Sequence, residues 1–449
     1  MRGKGEFVGA VDFGSRRIRV LIARRDEDGT IQVIGHGTAP GRGCVSQGVI
    51  QDLGAAKMAL KQALAAAEKE ARMRVSSLFC GVQGRNCETF IREGRVKIPT
   101  EAVERREMDE ARDIASRDIL APGRRILSSI NGQEWYVDDL RVQDPIGIHG
   151  QVLKIRVHFA RLPTVIEENL VHCITSQNKE LEDTVFLPLA TAQGCMTPED
   201  MELGAAVLDM GRSTTSLAVY RDRRIMGAHC FEWGGYHLTR DVAAGLQVSF
   251  EEADELILEY GISDSYLAEA LRQEQERELE ESEEHTDDGA PAEEALPQQP
   301  APSRSETRAQ IKLKTAVSGA PSIVAREQLD EIMYERAREL LVRVRNHLHS
   351  SGQANHIVRG MILTGGASQI RNQLALAESV FQVPCRLGVP DTVEILPSAA
   401  RTPEFSAAAG IVRHAFEYRN AARNGHAEPR GPLVSTFKRA GAAIRKYFF

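Results

Sequence analysis

Two short segments of this chain carry the same pattern, and this repeat limits the possible folds more than any other feature. Each segment has an apolar run, an Asp-x-Gly turn and a second apolar run. The first begins at Val8 and turns at Asp12, and the second begins at Ala205 and turns at Asp209. Apolar runs on both sides of a glycine-containing turn predict a pair of buried β-strands. Because the two aspartates stand 197 positions apart, the repeat predicts two similar α/β lobes.

Helix and strand patterns alternate between the two repeats and after the second one. The periodicity predicts helices over Leu53 to Ala71, Val103 to Ile119, Pro163 to Gln177 and Arg326 to His349. It predicts strands over Ser77 to Val82, Arg125 to Ile130, Gln133 to Val142, Val152 to Arg161 and Ile357 to Thr364. The segment 84–161 therefore reads as a small α+β subdomain inserted into the first lobe.

The composition changes sharply after Gly261. Eleven Asp or Glu residues lie between Glu274 and Glu294, and a proline-rich stretch follows from Pro297 to Pro302. Such a segment has too little apolar surface to offset the conformational entropy that folding costs. We therefore predict a disordered acidic insertion over 271–312. The alternative for its N-terminal part is that it continues the preceding helix.

The overall charge and hydropathy exclude several classes of protein. The 449 residues carry a formal net charge of -7, which argues against a dedicated nucleic-acid partner. No apolar h-region follows the basic N-terminus, so we expect no signal peptide. No window approaches the roughly 18 consecutive apolar residues of a membrane-spanning helix. We therefore expect a cytoplasmic protein whose membrane contact, if it has one, is peripheral.

The C-terminal sequence predicts such a contact. The polar stretch 416–430 reads as a tether, and Gly431-Pro432 suits the start of a helix over 431–449. At about 100° per residue the apolar side chains fall within roughly 100° of arc, with the cations opposite. A basic amphipathic helix of this kind lies in the surface of an anionic bilayer. The residues that we expect at the membrane are Leu433, Phe437, Lys438, Arg439, Ile444, Arg445, Lys446, Tyr447 and Phe448. The alternative is a terminal helix that packs on its own domain or on a partner protein.

The turns after the repeated strands have the composition of a phosphate-binding site. Backbone N–H groups and short hydroxyls can hold phosphate, and an adjacent aspartate can hold Mg²⁺. A third glycine turn later in the chain allows close approach of a ligand. The candidate residues are Asp12, Gly14, Ser15, Asp209, Gly211, Ser213, Thr214, Thr215, Gly365, Gly366 and Ala367. The alternative is that both aspartates only cap turns at strand ends.

These motifs together resemble the actin/Hsp70/sugar-kinase superfamily and, within it, the FtsA family. The resemblance covers nearly the whole chain except the acidic insertion. It extends to segments outside the phosphate loops, which include Asp144–Gly147, Asp183–Ala190, Trp233–Ala243, Glu251–Gly261, Met361–Ala367 and Val383–Pro390.

The resemblance implies an α/β, actin-like (ribonuclease H-like) two-lobed ATPase fold with a small inserted α+β subdomain. The first lobe would comprise 1–83 and 162–204, and the second lobe 205–270 and 313–415. The FtsA-type subdomain would be 84–161 and the acidic disordered insertion 271–312. The tether at 416–430 and the membrane-targeting helix at 431–449 would complete the chain.

The resemblance also implies ATP and Mg²⁺ as ligands. It places Gly235, before His237, beside the nucleotide, and it makes Asp12 and Asp209 the magnesium residues, acting through water. The chain departs from the family pattern at Arg16-Arg17, at Arg212-Ser213, at Tyr236 and at Ile257. Arg212 either contacts phosphate or is a solvated loop residue. At most a weak ATPase is expected, and no catalytic base can be named.

For partners, the resemblance implies the FtsZ C-terminal tail, further copies of the chain in actin-like filaments, anionic membrane lipids and later divisome proteins. Arg336 and Glu339 match positions where the family contacts the FtsZ peptide, although a pair three residues apart also forms a plain surface ion pair. The implied function is to tether FtsZ filaments to the inner face of the cytoplasmic membrane at the division septum and to help assemble the Z ring. The alternatives are a PilM-like pilus-assembly scaffold and an active phosphotransferase.

Overall fold

A computed structural model describes residues 5–84, 87–117, 119, 121–127, 134–284, 309–315 and 322–423 of the chain. These residues form two compact units. The first unit is made of the described residues within Met1–Trp233, Asn355–Gly366 and Arg386–Phe449, and the second of those within Gly234–Ala354 and Ala367–Cys385. The units do not coincide with the two predicted lobes, whose boundaries stay a prediction.

The strands and helices of the first half of the chain belong to the first unit. The strands are β1 (Glu6–Phe13), β2 (Arg17–Arg25), β3 (Ile31–Pro40), β4 (Val45–Ser46), β5 (Val49–Ile50), β6 (Ser77–Val82), β7 (Glu88–Lys97), β8 (Arg124–Leu127), β9 (Glu134–Val137), β10 (Leu140–Val142), β11 (Val152–Pro163), β12 (Glu180–Phe186), β13 (Ala205–Met210), β14 (Thr215–Arg221) and β15 (Arg224–Phe231). The helices are α1 (Leu53–Ala71), α2 (Arg105–Ala115), α3 (Thr164–Thr175), α4 (Leu187–Cys195) and α5 (Pro198–Leu203).

The remaining elements follow the second repeat. They are α6 (Gly235–Leu246), α7 (Phe250–Tyr260), α8 (Asp264–Glu284), β16 (Gln310–Lys312), β17 (Ile323–Ala325), α9 (Arg326–Ser350), β18 (Met361–Thr364), α10 (Gln373–Phe381), β19 (Cys385–Leu387) and α11 (Ser406–Arg423). Short 3-10 helices lie at Gly366–Gln369 and Pro403–Phe405.

The two repeats of the sequence form the central hairpins of two sheets with the same strand order. The first sheet has the order β3-β2-β1-β6-β12, and the second has the order β15-β14-β13-β18-β19. In each, the hairpin is antiparallel and its first strand pairs in parallel with a later strand, β6 or β18. The duplication that the two Asp-x-Gly turns predict is therefore present in the topology.

The inserted segment forms its own sheet, in the order β10-β9-β11-β7 with β8 also paired to β11. Helix α2 covers one face, where Trp135, Ile155 and Phe159 are buried. The single strand predicted over Gln133 to Val142 was wrong, because a hairpin turn divides it into β9 and β10. Asp138 and Asp139 both adopt left-handed backbone, with φ of 51° and 66°, and Asp tolerates this conformation better than most residues.

The core of the first unit joins both repeats. Val11 and Val20 of the first hairpin belong to the same buried cluster as Val207 and Ala218 of the second. Helix α1 matches its predicted bounds: it begins after Asp52, whose carboxylate accepts a hydrogen bond from the backbone N–H of Ala55 at 2.9 Å. Its apolar stripe is buried because alanine and leucine recur at helical spacing.

The second unit is mainly helical. Helices α6 and α9 pack together, and α7 begins after Ser249, whose hydroxyl accepts a hydrogen bond from the backbone N–H of Glu252. A buried ion pair between Arg326 and Asp330 fixes the start of α9. The guanidinium of Arg326 also donates a hydrogen bond to the carbonyl of Gly261 at 2.8 Å, and the carboxylate of Asp330 accepts one from the backbone N–H of Ser263 at 2.7 Å.

The acidic insertion begins later than predicted. Helix α8 continues to Glu284, because Glu274 accepts a hydrogen bond from Tyr334 at 2.6 Å and forms an ion pair with Arg338 on α9. At the other end, β16 pairs with β17, and Ile311 is buried. Disorder over all of 271–312 was therefore wrong for 271–284 and 309–312, and the prediction for 285–308 lies outside the described residues.

The tether also begins later than predicted, because α11 extends to Arg423. Phe416 is buried in the core, and Arg419 forms an ion pair with Glu182 at 2.6 Å. These contacts hold 416–423 as helix, and the rest of the tether lies outside the described residues. None of the helices in the described part of the chain is long and apolar enough to cross a membrane.

Candidate functional site

The two hairpins present their aspartates at equivalent positions. Asp12 on β1 stands opposite Arg19 on β2, and Asp209 on β13 stands opposite Ser216 on β14. Directly opposed residues of an antiparallel pair share one face of the sheet. Each aspartate therefore has a defined neighbour from its own hairpin: a cation in the first repeat and a hydroxyl in the second.

The first turn contains a buried network of charges. The guanidinium of Arg19 lies 3.5 Å from the carboxylate of Asp12 and 2.6 Å from that of Glu404, and it also stacks over the ring of Phe405. Burial raises the pKa of Asp12, and the charge of Arg19 opposes this rise. Sequence reasoning missed Arg19. The available signal was a single cation within the otherwise apolar run from Ile18 to Ala23.

In the second turn, no ion pair forms with the aspartate among the described residues, and the charge of Arg19 only weakly opposes the effect of burial, which raises the pKa of Asp209. The hydroxyl of Thr191, on α4, donates to the carboxylate of Asp209 at 3.2 Å. Burial, followed by the nearby negative charge of Asp12, raises the pKa of Asp209 to about 6. The two carboxylates are therefore close enough to interact, although they come from different repeats, 197 positions apart in the sequence.

The two turns are also joined through their hydroxyls. Ser15 and Ser213 form a side-chain hydrogen bond of 2.5 Å, and the backbone N–H of Gln47 donates to Ser213 at 2.8 Å. The amide of Gln83 donates to Thr214 at 3.2 Å. Gln47 and Gln83 were not predicted from the sequence, because each enters the site from a loop that carries no phosphate-binding motif.

Three buried polar atoms of this region have no hydrogen-bond partner among the described residues. They are the hydroxyls of Thr215 and Ser216 and the carbonyl oxygen of the Gln83 side chain. Buried polar groups are normally paired. Ser216 lies on the same face of its hairpin as Asp209, and Gln83 contacts Thr214, so these two residues can accommodate a polar ligand, a phosphate or its water. Thr215 precedes Ser216 on β14 and lies on the other face.

The third glycine turn lies against the second aspartate. Gly365 has φ of +83°, and a Cβ at this position would lie 2.3 Å from Oδ1 of Asp209. Only glycine fits both the left-handed backbone and this approach. A Cβ at Gly366 would meet nothing nearer than Glu404, at 3.5 Å. The structure thus brings the first turn, the second turn and the Gly365-Gly366 turn together in the first unit.

The remaining predicted nucleotide residues belong to the second unit. Gly235 is the first residue of α6, and Ala367 lies in the 3-10 helix Gly366–Gln369. Tyr236 stacks on Phe250, with ring centroids 5.8 Å apart, and is partly exposed. Ile257, one of the expected departures from the family pattern, is buried within α7. The structure therefore gives this position a packing role.

The residues present fit a magnesium–nucleotide complex. Two carboxylates, a row of hydroxyls and a glycine that leaves room beside Asp209 suit phosphate and a hydrated cation. Among the residues that the structure describes, no three His, Cys, Asp or Glu side chains gather as a direct metal cluster. Coordination of Mg²⁺ through water remains the arrangement that these two aspartates suit.

The predicted partner residues lie on α9. Arg336 forms ion pairs with Asp241 of α6 and with Glu339, and Glu339 also pairs with Arg343. All of these side chains are at least partly exposed. The structure thus contains the plain surface ion pair that the sequence allowed, and peptide contact at this surface stays a prediction.

The predicted membrane residues all fall outside the described part of the chain. They are Leu433, Phe437, Lys438, Arg439, Ile444, Arg445, Lys446, Tyr447 and Phe448.

Comparison with known families finds two matching models. One, described as "Cell division protein FtsA", matches residues 206–410. The other, described as "SHS2 domain inserted in FTSA", matches residues 84–160. Together they cover well over half of the chain. The second match coincides closely with the subdomain predicted at 84–161.

Full-length relatives agree with these models. The chain is 25% identical over 444 residues to the cell division protein FtsA of Pseudomonas aeruginosa, covering 97% of each chain. It is 26% identical over 417 residues to the FtsA of Neisseria meningitidis serogroup B, covering 92% of this chain and 91% of that protein.

Solved structures show the fold. The chain is similar to the PilM-PilN type IV pilus biogenesis complex, with TM-score 0.60 and 15% identity over 91% of this chain and 98% of that one. It is also similar to MreB 5 of Spiroplasma citri bound to AMPPNP, with TM-score 0.52 and 14% identity over 94% and 99% of the two chains. The predicted actin-like fold is confirmed. With both family models and the full-length relatives in agreement, the chain belongs to the FtsA family of cell-division proteins.

Proposed function

We propose that this chain tethers FtsZ filaments to the cytoplasmic face of the cell membrane at the division septum. It would help to assemble the Z ring and the later divisome, and it would self-associate as actin-like filaments. Membership of a cell-division family supports this assignment, and one sequence observation carries it: the basic amphipathic segment 431–449 at the end of the chain.

The membrane contact rests on the two faces of that segment. Leu433, Phe437 and Ile444 fall on the apolar side of the helical wheel, and Lys438 and Arg445 on the other side. Each large apolar side chain contributes roughly 1.5 kcal/mol or more on leaving water, and each cation about 1 kcal/mol near an anionic surface. Ordering of the segment offsets part of this gain. Attachment is therefore reversible for one copy and stronger for a filament of many copies.

Co-sedimentation with vesicles tests the membrane contact. The full chain should pellet with vesicles that contain anionic lipid and should stay in solution with neutral ones. A chain that ends at Arg430 should stay in solution with both. Equal pelleting of the two chains, or of neither, rejects the tether.

A matched pair of substitutions separates insertion from charge attraction. Phe437→Lys and Ala442→Lys each add one cation, but at about 100° per residue the first lies on the apolar face and the second among the cations. Phe437→Lys should weaken vesicle binding about tenfold, because one buried aromatic side chain is lost. Ala442→Lys should bind at least as well as the parent. Equal binding of both variants means that the apolar face does not enter the bilayer.

The proposed FtsZ contact lies on the α9 surface around Arg336 and Glu339. Exposed groups that already hold one another in position can exchange a partner for a charged peptide at modest cost. Capture of an FtsZ C-terminal tail peptide should fall with Arg336→Ala. The control is Arg343→Ala, which also removes an arginine paired to Glu339. Unchanged capture by Arg336→Ala excludes that residue from the site.

We also propose that the first unit binds ATP with Mg²⁺ through the turns at Asp12, Asp209 and Gly365. Supporting this are the buried polar atoms of Ser216 and Gln83, which have no partner among the described residues, and the room that Gly365 leaves beside Asp209. The bound cation would offset the charge of the phosphates. Asp209→Asn should weaken magnesium-dependent binding of a fluorescent ATP analogue at least tenfold. Binding that is unaffected by this change, or independent of Mg²⁺, rejects the assignment, and hydrolysis is expected to be weak at most.

A further inference from the structure

Two features of the chain have no role in the proposed function, and they carry opposite charge. One is the arginine pair Arg16-Arg17 in the first turn. The other is the acidic segment between Glu274 and Glu294. Because opposite charges attract, the arginine pair and the acidic segment are candidates to bind each other.

The arginines line a concave pocket of the first unit. The pocket has a volume of about 440 Å³, and its walls are Arg16, Arg17, Thr38, Ala39, Pro40 and Arg42. Arg17 and Arg42 are exposed. The uncharged part of the wall, Thr38, Ala39 and Pro40, is the end of β3.

The backbone holds this pocket in shape. Arg17 pairs with Pro40 in the ladder between β2 and β3, and the N–H of Gly41 donates to the carbonyl of Arg16 at 2.9 Å. A Cβ at Gly41 would lie 2.1 Å from the carbonyl oxygen of Gly14. The backbone after β3 is therefore in direct contact with the turn between β1 and β2. A pocket on paired strands loses little entropy when a ligand binds.

Positive charge dominates the neighbourhood of the pocket. Its acidic neighbour, Glu404, already pairs with Arg19. Burial would raise the pKa of Glu404, but Arg19, and more weakly Arg17 and Arg16, hold it below the ordinary value. The field of the two pocket arginines thus reaches an adjacent carboxylate, and a carboxylate-rich ligand is the natural complement.

The chain contains a segment with complementary charge. Residues 287–294 read Asp-Asp-Gly-Ala-Pro-Ala-Glu-Glu, two acidic pairs with small residues between them. The pocket arginines lie together at the end of β3, because Arg17 pairs with Pro40 and the N–H of Gly41 donates to the carbonyl of Arg16. The segment falls within the 24 positions 285–308 that the structure does not describe.

We propose that the pocket formed by Arg16, Arg17 and Arg42 binds the acidic segment Asp287–Glu294 of a second copy of the chain. The contact rests on the self-association in the proposed function and gives it a specific, salt-sensitive component. It is made of several weak charge pairs, so it strengthens when many copies are aligned and weakens as salt rises.

Charge reversal in the full chain tests this contact. The first variant reverses the pocket (Arg17→Glu with Arg42→Glu), and the second reverses the segment (Asp287→Lys, Asp288→Lys, Glu293→Lys and Glu294→Lys). Self-association is measured by sedimentation of a fluorescently labelled chain at low salt. Each variant alone should self-associate at least tenfold more weakly than the parent. An equal mixture of the two should recover most of the parent's affinity, because the reversed pocket meets the reversed segment.

A control variant carries the same change in net charge elsewhere on the first unit. Lys61→Glu with Arg74→Glu alters two exposed cations far from the pocket in sequence, and its self-association should stay within about twofold of the parent. If self-association of this control is weakened as much as that of the pocket variant, the effect is due to net charge alone and the proposed contact is overturned. Failure of the mixture to recover overturns binding between copies. A parent chain that stays monomeric at every salt concentration rejects instead the self-association on which the contact rests.

Discussion

The two repeats share a strand order but neutralise their aspartates in different ways. In the first, Asp12 lies beside Arg19, which also binds Glu404. In the second, Asp209 has a hydroxyl partner, Thr191, and faces Ser216 across the hairpin. One repeat therefore contains its own counter-charge, and the other leaves a carboxylate whose pKa is raised to about 6.

This difference indicates a division of labour between equivalent positions. A carboxylate that is already paired contributes to the fold, whereas one held near others without a cation is prepared to take one from outside. The first repeat should thus be sensitive to loss of its internal cation. The second should be more sensitive to pH and to added Mg²⁺.

The largest expected effect is from Arg19→Met. This change leaves Asp12 buried without its cation, and removal of one partner from a buried ion pair costs about 4 kcal/mol. Denaturant unfolding should show a loss of this size, and the double variant Arg19→Met with Asp12→Asn should recover part of it. A loss below about 1 kcal/mol would mean that the pair is not needed for the fold.

The next effect is a pH dependence due to Asp209. Its pKa is about 6 in the folded chain and about 3.9 in an unfolded one, so the unfolded state ionises first as pH rises. The contribution of Asp209 to the free energy of unfolding is therefore fully present below about pH 4 and is lost as the pH rises towards 6 and above. At pH 7.5 without Mg²⁺, Asp209→Asn should be more stable than the parent by up to about 3 kcal/mol, and at pH 4 the two should agree. Identical pH profiles would contradict the raised pKa.

A smaller effect is expected at the glycine beside Asp209. Gly365→Ala forces an alanine into left-handed backbone and against a carboxylate oxygen, which should cost about 2 kcal/mol. Gly366→Ala is the control, because its Cβ would find only ordinary contact distances. Thermal unfolding of both variants measures the difference, and equal stability would show that the turn can move away from Asp209.

The smallest effect is expected from Ser216→Ala, the second-repeat counterpart of the change at Arg19. Its hydroxyl is buried and has no partner among the described residues, so its removal should change the free energy of unfolding by no more than about 0.5 kcal/mol. A cost of several kcal/mol would show that this hydroxyl has an unseen partner in the folded chain and that the two repeats are less different than they look.

Local patterns predicted the parts of the fold that depend on local sequence. The Asp-x-Gly hairpins and the bounds of α1 follow from periodicity and capping, and the structure contains them. The hairpin at Asp138-Asp139 was missed because neither residue is a glycine, so the turn is not distinct in composition. The sequence left open that a helix continues into the acidic insertion. It could not give the length of α8, because this depends on Tyr334 and Arg338, which lie about sixty residues away along the chain.

The residues in the turns of the candidate site were predicted from the sequence, and the residues that contact these turns from elsewhere were not. Asp12, Ser15, Asp209 and Ser213 follow from motif and spacing, and the structure brings them together. Arg19, Gln47 and Gln83 depend on which loops meet in three dimensions, and their side chains carry no motif. The lone cation in the β2 run was the one sequence signal for Arg19, and its meaning is clear only once Glu404 is seen beside it.

The most direct test of the whole account is the position of the protein in dividing cells. A fluorescent fusion of the full chain should gather in a band at midcell, and the same fusion ending at Arg430 should be diffuse, because it lacks the segment that enters the bilayer. A full-length fusion that spreads evenly through the cytoplasm, with no band at any stage of division, would contradict the proposal that this chain attaches division filaments to the membrane.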